Sequence, residues 1–148
     1  MSRLYKFMRL SRADRICLLE AGCWLGLVRA AMSVLPFRLV ALGLGIPMAL
    51  SPLNLEVTPS ELLDRISWSV ATASRQLPWD CSCLAQAVAA KAMLRWRGVP
   101  STLYLGVAKD SHSSLKAHAW LRCGDRILTG WQGMGKFTVI ATFAEGES

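Results

Sequence analysis

An α+β fold class follows from a change of hydrophobic period partway along the chain. Before Gly98 the apolar residues recur three or four positions apart, and two capping-box patterns, Ser11-Arg12-Ala13-Asp14 and Thr58-Pro59-Ser60-Glu61, mark helix starts. After Pro100 the apolar residues fall into short alternating or β-branched runs at 102–108, 117–123, 126–129 and 137–143, and Gly124-Asp125 is a tight-turn signal. Helices first and an antiparallel meander afterwards is the α+β order.

In the first helix, 11–34, Ser11 satisfies free backbone N–H groups and Asp14 sits at the positive end. Pro36 suits the first turn of a short second helix, which the Gly43 to Pro47 region ends, so the two form a hairpin. Residues 51–58, with Pro52, Asn54 and Thr58, read as a connection. The next helix, 59–76, places Leu63, Ile66, Val70, Ala73 and Leu77 on one face. Pro78-Trp79-Asp80 breaks it, and Asp80 or Ser82 caps a further helix that runs to Arg97 and stops at Gly98. Its small residues Ala85, Ala87, Ala89, Ala90 and Ala92 allow close approach to a sheet, which makes it the central helix. Two units are expected: a basic, apolar helical annex over 1–55 and a core over 56–148.

Composition narrows the function classes. The 148 residues are 53% hydrophobic with mean hydropathy +0.33, above the usual soluble balance, so part of the surface is expected to face a partner or a membrane. The net charge of +7 is concentrated at the start, where Arg3, Lys6, Arg9, Arg12, Arg15, Arg29 and Arg38 stand against Asp14 and Glu20. Such a segment suits peripheral contact with anionic lipid or an acidic partner. Nucleic acid is not expected, because no zinc-finger spacing, RNP-type aromatic strand or base-reading basic helix accompanies the charge. The cysteines, Cys17, Cys23, Cys81, Cys83 and Cys123, are odd in number and not spaced as a disulfide framework, which suits a reducing, cytoplasmic compartment. Charges at Arg12, Asp14, Arg15 and Glu20 interrupt any secretory signal.

The chemistry-bearing pattern is a thiol at a helix start and an imidazole on a strand. A cysteine nucleophile needs its thiolate favoured by a positive helix end, a neighbouring imidazole or both. Cys83 has the first from its position, and His118, in Ala117-His118-Ala119-Trp120, is the candidate for the second. Strand alternation puts His118, Trp120 and Arg122 on one face and Ala117, Ala119, Leu121 and Cys123 on the other. His118 meets the helix start only if its face is the active-site face. A small buried cysteine and a hydrogen-bonded core histidine are the competing, purely structural reading. Asp125 is the nearby carboxylate that can orient the imidazole, although Gly124-Asp125 reads equally as a solvated turn. Asp80 is a further candidate acid. Gln76 and the tryptophans Trp79 and Trp120 are candidates for lining a cleft, each with an ordinary exposed or core role as the alternative. Zinc is not expected: Cys81-Ser82-Cys83 is not the Cys-x2-Cys knuckle, and Cys123 falls on the strand face opposite His118.

The stretch from Cys83-Leu84 to Met93-Leu94-Arg95-Trp96-Arg97-Gly98, then Leu105-Gly106-Val107, Ala117-His118-Ala119-Trp120 and Asp125-Arg126-Ile127-Leu128-Thr129-Gly130, resembles the transglutaminase-like cysteine peptidases of lasso-peptide biosynthesis, the B proteins in their stand-alone protease form. The basic, leucine-rich start through Leu35-Pro36-Phe37 is similar to that family too. The resemblance implies a transglutaminase/papain-like core, a central helix on a small antiparallel sheet. It implies hydrolysis of a precursor peptide after its leader, with Cys83 as nucleophile, His118 as base and no cofactor. It also implies two partners besides the precursor, a separate leader-recognition protein and a lasso cyclase, since the chain has no room for the leader-binding domain of fused members. The acid that the pattern carries about twelve residues after the histidine falls at Gly130, which leaves the third member of a triad to Asp125 or to no side chain. The rivals are a transglutaminase-like hydrolase or acyltransferase of another amide, and a non-catalytic membrane-associated scaffold.

Overall fold

A computed structural model describes residues 2–54, 58–79 and 81–145. The chain opens with α1 (Arg3–Met8), α2 (Arg12–Val34) and α3 (Phe37–Leu42), followed by a two-residue strand β1 (Ile46–Pro47). Then come α4 (Ser60–Gln76), α5 (Cys83–Trp96) and the strands β2 (Thr102–Lys109), β3 (Leu115–Cys123), β4 (Arg126–Thr129) and β5 (Thr138–Ala144), with a 3-10 turn at Met134–Lys136 before the last. Helices at one end and an antiparallel sheet at the other make the α+β fold that the change of period predicts.

Local chemistry explains the helix limits. Ser11 Oγ accepts from the Asp14 N–H at 3.1 Å and starts α2. Ser82 Oγ does the same for Ala85 N–H at 3.2 Å and starts α5. The box expected at Thr58 is not used: α4 begins after Pro59, which holds the N-cap position in extended backbone with no side-chain cap. Proline's fixed φ already suits that entry. Gly98, at φ +71°, ends the turn after α5.

The sheet departs from the expected meander. Its order is β1-β5-β2-β3-β4, so only β2, β3 and β4 are a simple up-and-down series. The chain crosses back after β4 and places β5 against the free edge of β2, pairing Leu103 with Phe143 and Tyr104 with Thr142. β1, which no sequence pattern flagged, then pairs with the end of β5 through Ile46 and Ala144.

One apolar core runs through all the layers. α2 contributes Cys17, Ala21, Leu25 and Val28, α4 contributes Leu63, Ile66 and Val70, and α5 contributes its alanines, Met93 and Leu94. The sheet side supplies Leu103, Ala119, Leu121, Cys123, Leu128 and Phe143. Helices on both sides of the expected division into annex and core therefore share one interior; the division itself falls at residues 55 to 57, outside the described residues. Ion pairs tie the same parts together: Arg97 holds Glu20 through two bonds of 2.8 and 2.7 Å, and Arg65 holds Asp14 at 2.9 Å.

Candidate active site

Cys83 is the first residue of α5 and is half-buried. The first turn of a helix leaves N–H groups without intrahelical acceptors. Here the Ser82 hydroxyl takes the Ala85 N–H and its carbonyl accepts the first helical bond from Gln86 N–H, while among the described residues the N–H groups of Cys83 and Leu84 have no acceptor. The approach to the helix is fixed by Gln86, whose Nε2 donates to the Cys81 carbonyl at 2.9 Å. Asp80, a candidate acid and cap, lies outside the described residues.

His118 sits where β3 passes from its exposed first residues into the buried part of the sheet. Its ring packs against Phe137, with centroids 5.0 Å apart, and against Trp120 at 5.7 Å. Trp120 in turn stacks flat on Tyr104 at 5.5 Å, and the Tyr104 hydroxyl accepts from Arg122 Nε at 2.9 Å. Gly106 pairs with His118 across β2, and a Cβ there would press on both Trp120 and Phe137 at 2.9 Å. The glycine of Leu105-Gly106-Val107 is thus what lets two aromatic rings close around the imidazole.

The imidazole is held by a backbone group. His118 Nε2 lies 2.7 Å from the Gly130 carbonyl oxygen. A carbonyl only accepts, so Nε2 carries the proton and the neutral ring keeps its basic lone pair on Nδ1. Gly130 has φ +73°, and a Cβ there would run into the Ala119 carbonyl oxygen, so no other residue brings this carbonyl to the ring without strain. The resemblance put a missing acid at Gly130, and here the main-chain carbonyl of that residue contacts the imidazole. Side-chain reading has no means of finding a carbonyl; the glycine at a required left-handed position was the signal available.

Asp125 is not brought to the imidazole. It is exposed on the turn between β3 and β4, beyond the Cys123–Arg126 pair. Cys123 is already five residues along the strand from His118, roughly 16 Å. The turn reading is the one the geometry follows. Gln76 is exposed at the end of α4, Trp120 is buried in the aromatic stack, and Trp79 lies under the Arg29 guanidinium at 5.7 Å. Cys123 is buried on the other face of β3, its Sγ 3.6 Å from the Pro100 carbonyl oxygen, and burial pushes its thiol up to about 11.

Lys91 Nζ donates to Ser101 at the short connection between α5 and β2. From there Cys83 is eight residues back along the helix, about 12 Å, and the Gly106–His118 pair is five residues on along the strand, about 16 Å. Both therefore lie away from the connecting turn. They are not in contact: among the described residues no hydrogen bond joins the Cys83 thiol to His118. The strand faces account for this, because Ala119, Leu121 and Cys123 carry the core shared with α5, while His118, Trp120 and Arg122 form the opposite face.

No curated protein and no solved structure matches the chain. The family model of the transglutaminase-like superfamily matches residues 31–142, a span that contains Cys83, His118 and Gly130 and reaches from the second half of α2 into β5. By that match, over most of its length, the chain belongs to the transglutaminase-like superfamily.

Proposed function

We propose that this chain is a cysteine peptidase that removes the leader from a lasso-peptide precursor, with Cys83 as nucleophile and His118 as general base. The observation that carries the chemistry is the 2.7 Å bond from His118 Nε2 to the Gly130 carbonyl, which fixes the tautomer a base needs. Superfamily membership supports amide chemistry at a cysteine. The ordered motifs from Cys83 through Ala117-His118-Ala119-Trp120 to Gly130 support the narrower assignment by resemblance.

In the proposed reaction His118 Nδ1 takes the thiol proton as Sγ attacks the carbonyl carbon of the last leader residue. In the free chain His118 lies on the sheet face opposite the one packed on α5, so the Sγ to Nδ1 approach is assigned to a rearranged substrate complex. The N–H groups of Cys83 and Leu84, without an acceptor among the described residues, are the donors offered to the developing oxyanion. The imidazolium then protonates the leaving amine, and water, deprotonated by the same nitrogen, releases the leader acid from the thioester. No side-chain carboxylate is needed, since Gly130 performs the orienting task and stabilises the imidazolium through its carbonyl dipole.

The precursor is delivered by a separate leader-recognition protein, and the freed core passes to a separate cyclase. The odd number of cysteines, not spaced as a disulfide framework, supports a reducing, cytoplasmic setting. Incubation of the chain with a lasso precursor, with the leader-binding protein added or withheld, tests the assignment by mass spectrometry. Cleavage at the leader junction that requires the leader-binding protein is the expected result. Inertness toward the delivered precursor, together with hydrolysis or acyl transfer on an unrelated amide, would move the chain to another transglutaminase-like activity.

A further inference from the structure

α2 carries two apolar stripes, and the fold uses one. Cys17, Ala21, Leu25 and Val28 face the core, while Ile16, Leu19, Cys23, Leu27, Ala30 and Val34, again three or four residues apart, are all exposed. The second stripe is strongly so: Ile16, Leu19 and Leu27 are 55 to 60% accessible and Val34 is 81%. The neighbouring α1 also exposes Leu4 and Met8. By length and composition α2 could cross a membrane, yet its other face is packed on α4 and α5 and pinned by the Asp14 and Glu20 ion pairs. A helix so anchored lies along an interface.

Charge identifies the occupant. Both acids of this region are consumed internally, Asp14 by Arg65 and Glu20 by Arg97. Its cations are not: among the described residues Arg3, Lys6, Arg9, Arg12, Arg15, Arg29 and Arg38 have no carboxylate partner. Exposed apolar side chains interleaved with unpaired arginines match the boundary of an anionic bilayer, where each nearby cation adds binding and the apolar groups enter the acyl region. A second copy of the chain would instead bring the same cations together. We infer that the exposed stripe of α2, with the basic α1 before it, docks the protein, peripherally, on anionic membrane surfaces. Neither the catalytic residues nor the proposed substrate enters this inference.

Flotation of the full chain with phosphatidylglycerol/phosphatidylcholine vesicles and with pure phosphatidylcholine vesicles tests it. Preferential binding to the anionic vesicles, weakened by added salt, is expected. The exposed double variant Leu19→Glu/Leu27→Glu lowers partitioning at least about tenfold, and Arg3→Glu/Arg9→Glu, in a helix with no buried residue, does the same. Leu115→Glu, equally exposed but on β3, leaves it unchanged. Equal binding to neutral vesicles, retention by both double variants with their circular dichroism intact, or dimerisation without vesicle binding that Leu19→Glu/Leu27→Glu abolishes would each overturn the inference.

Discussion

At residue scale the site turns on a carbonyl where a carboxylate was sought. Gly130→Ala places a Cβ against the Ala119 carbonyl oxygen at a positive φ, and the carbonyl that holds His118 has to move. The expected cost is about 2 kcal/mol of stability with at least a tenfold loss of cleavage rate, read by urea unfolding and by peptide assay. Gly133→Ala is the matched control, since Gly133 has φ +72° but open space around it. It should lose about 1 kcal/mol and keep its activity. Asp125→Asn should leave the rate within about twofold, because the carboxylate lies on a solvated turn; a loss approaching that of a triad member would restore Asp125 to the site. Cys83 and His118 were legible as candidates because a helix start and an alternating strand are written in side chains. The orienting group was not, because every residue carries a carbonyl and only the fold selects one.

At the scale of elements, the helix starts were readable and the strand order was not. Ser11 and Ser82 cap as their spacing indicates, whereas Thr58 does not, since Pro59 presets the entry to α4. The Ser82 cap matters doubly because it also sets the helix start that carries Cys83. Ser82→Ala should cost about 1 kcal/mol by urea unfolding, and no change in midpoint would mean that other contacts define the α5 start. Strand positions followed from alternation, but alternation is silent about neighbours. β5 sits beside β2 because Phe143 and Ala141 complete the apolar face begun by Leu103 and Leu105, a long-range match that local pattern does not encode. The buried Lys91, paired with Glu145 at 2.9 Å and bonded to Ser101, gave no sign in a helix of small apolar residues; its pKa is lowered, chiefly by burial.

At the scale of the whole molecule, one interior joins the N-terminal helices to the sheet, and its titration is visible in stability. Burial raises the Cys123 thiol from 9.0 to about 11, so between those values the folded chain keeps a proton that the unfolded chain releases. Its contribution is complete below pH 9.0 and is lost as pH rises through about 11, at most about 3 kcal/mol. Lys91, with its lowered pKa, works in the opposite direction in alkali, so the informative quantity is the stability gap between the wild type and Cys123→Ala. That gap should narrow between about pH 8 and about pH 10.5 in urea unfolding; a constant gap would contradict a buried neutral thiol. The proposed mechanism has one thiol and one imidazole cut a peptide. Its most direct test is the delivered-precursor assay run on Cys83→Ala and on His118→Ala, each checked for native circular dichroism. A cysteine–histidine mechanism predicts cleavage below about one-thousandth of wild type for both variants, and wild-type processing by either folded variant would contradict it.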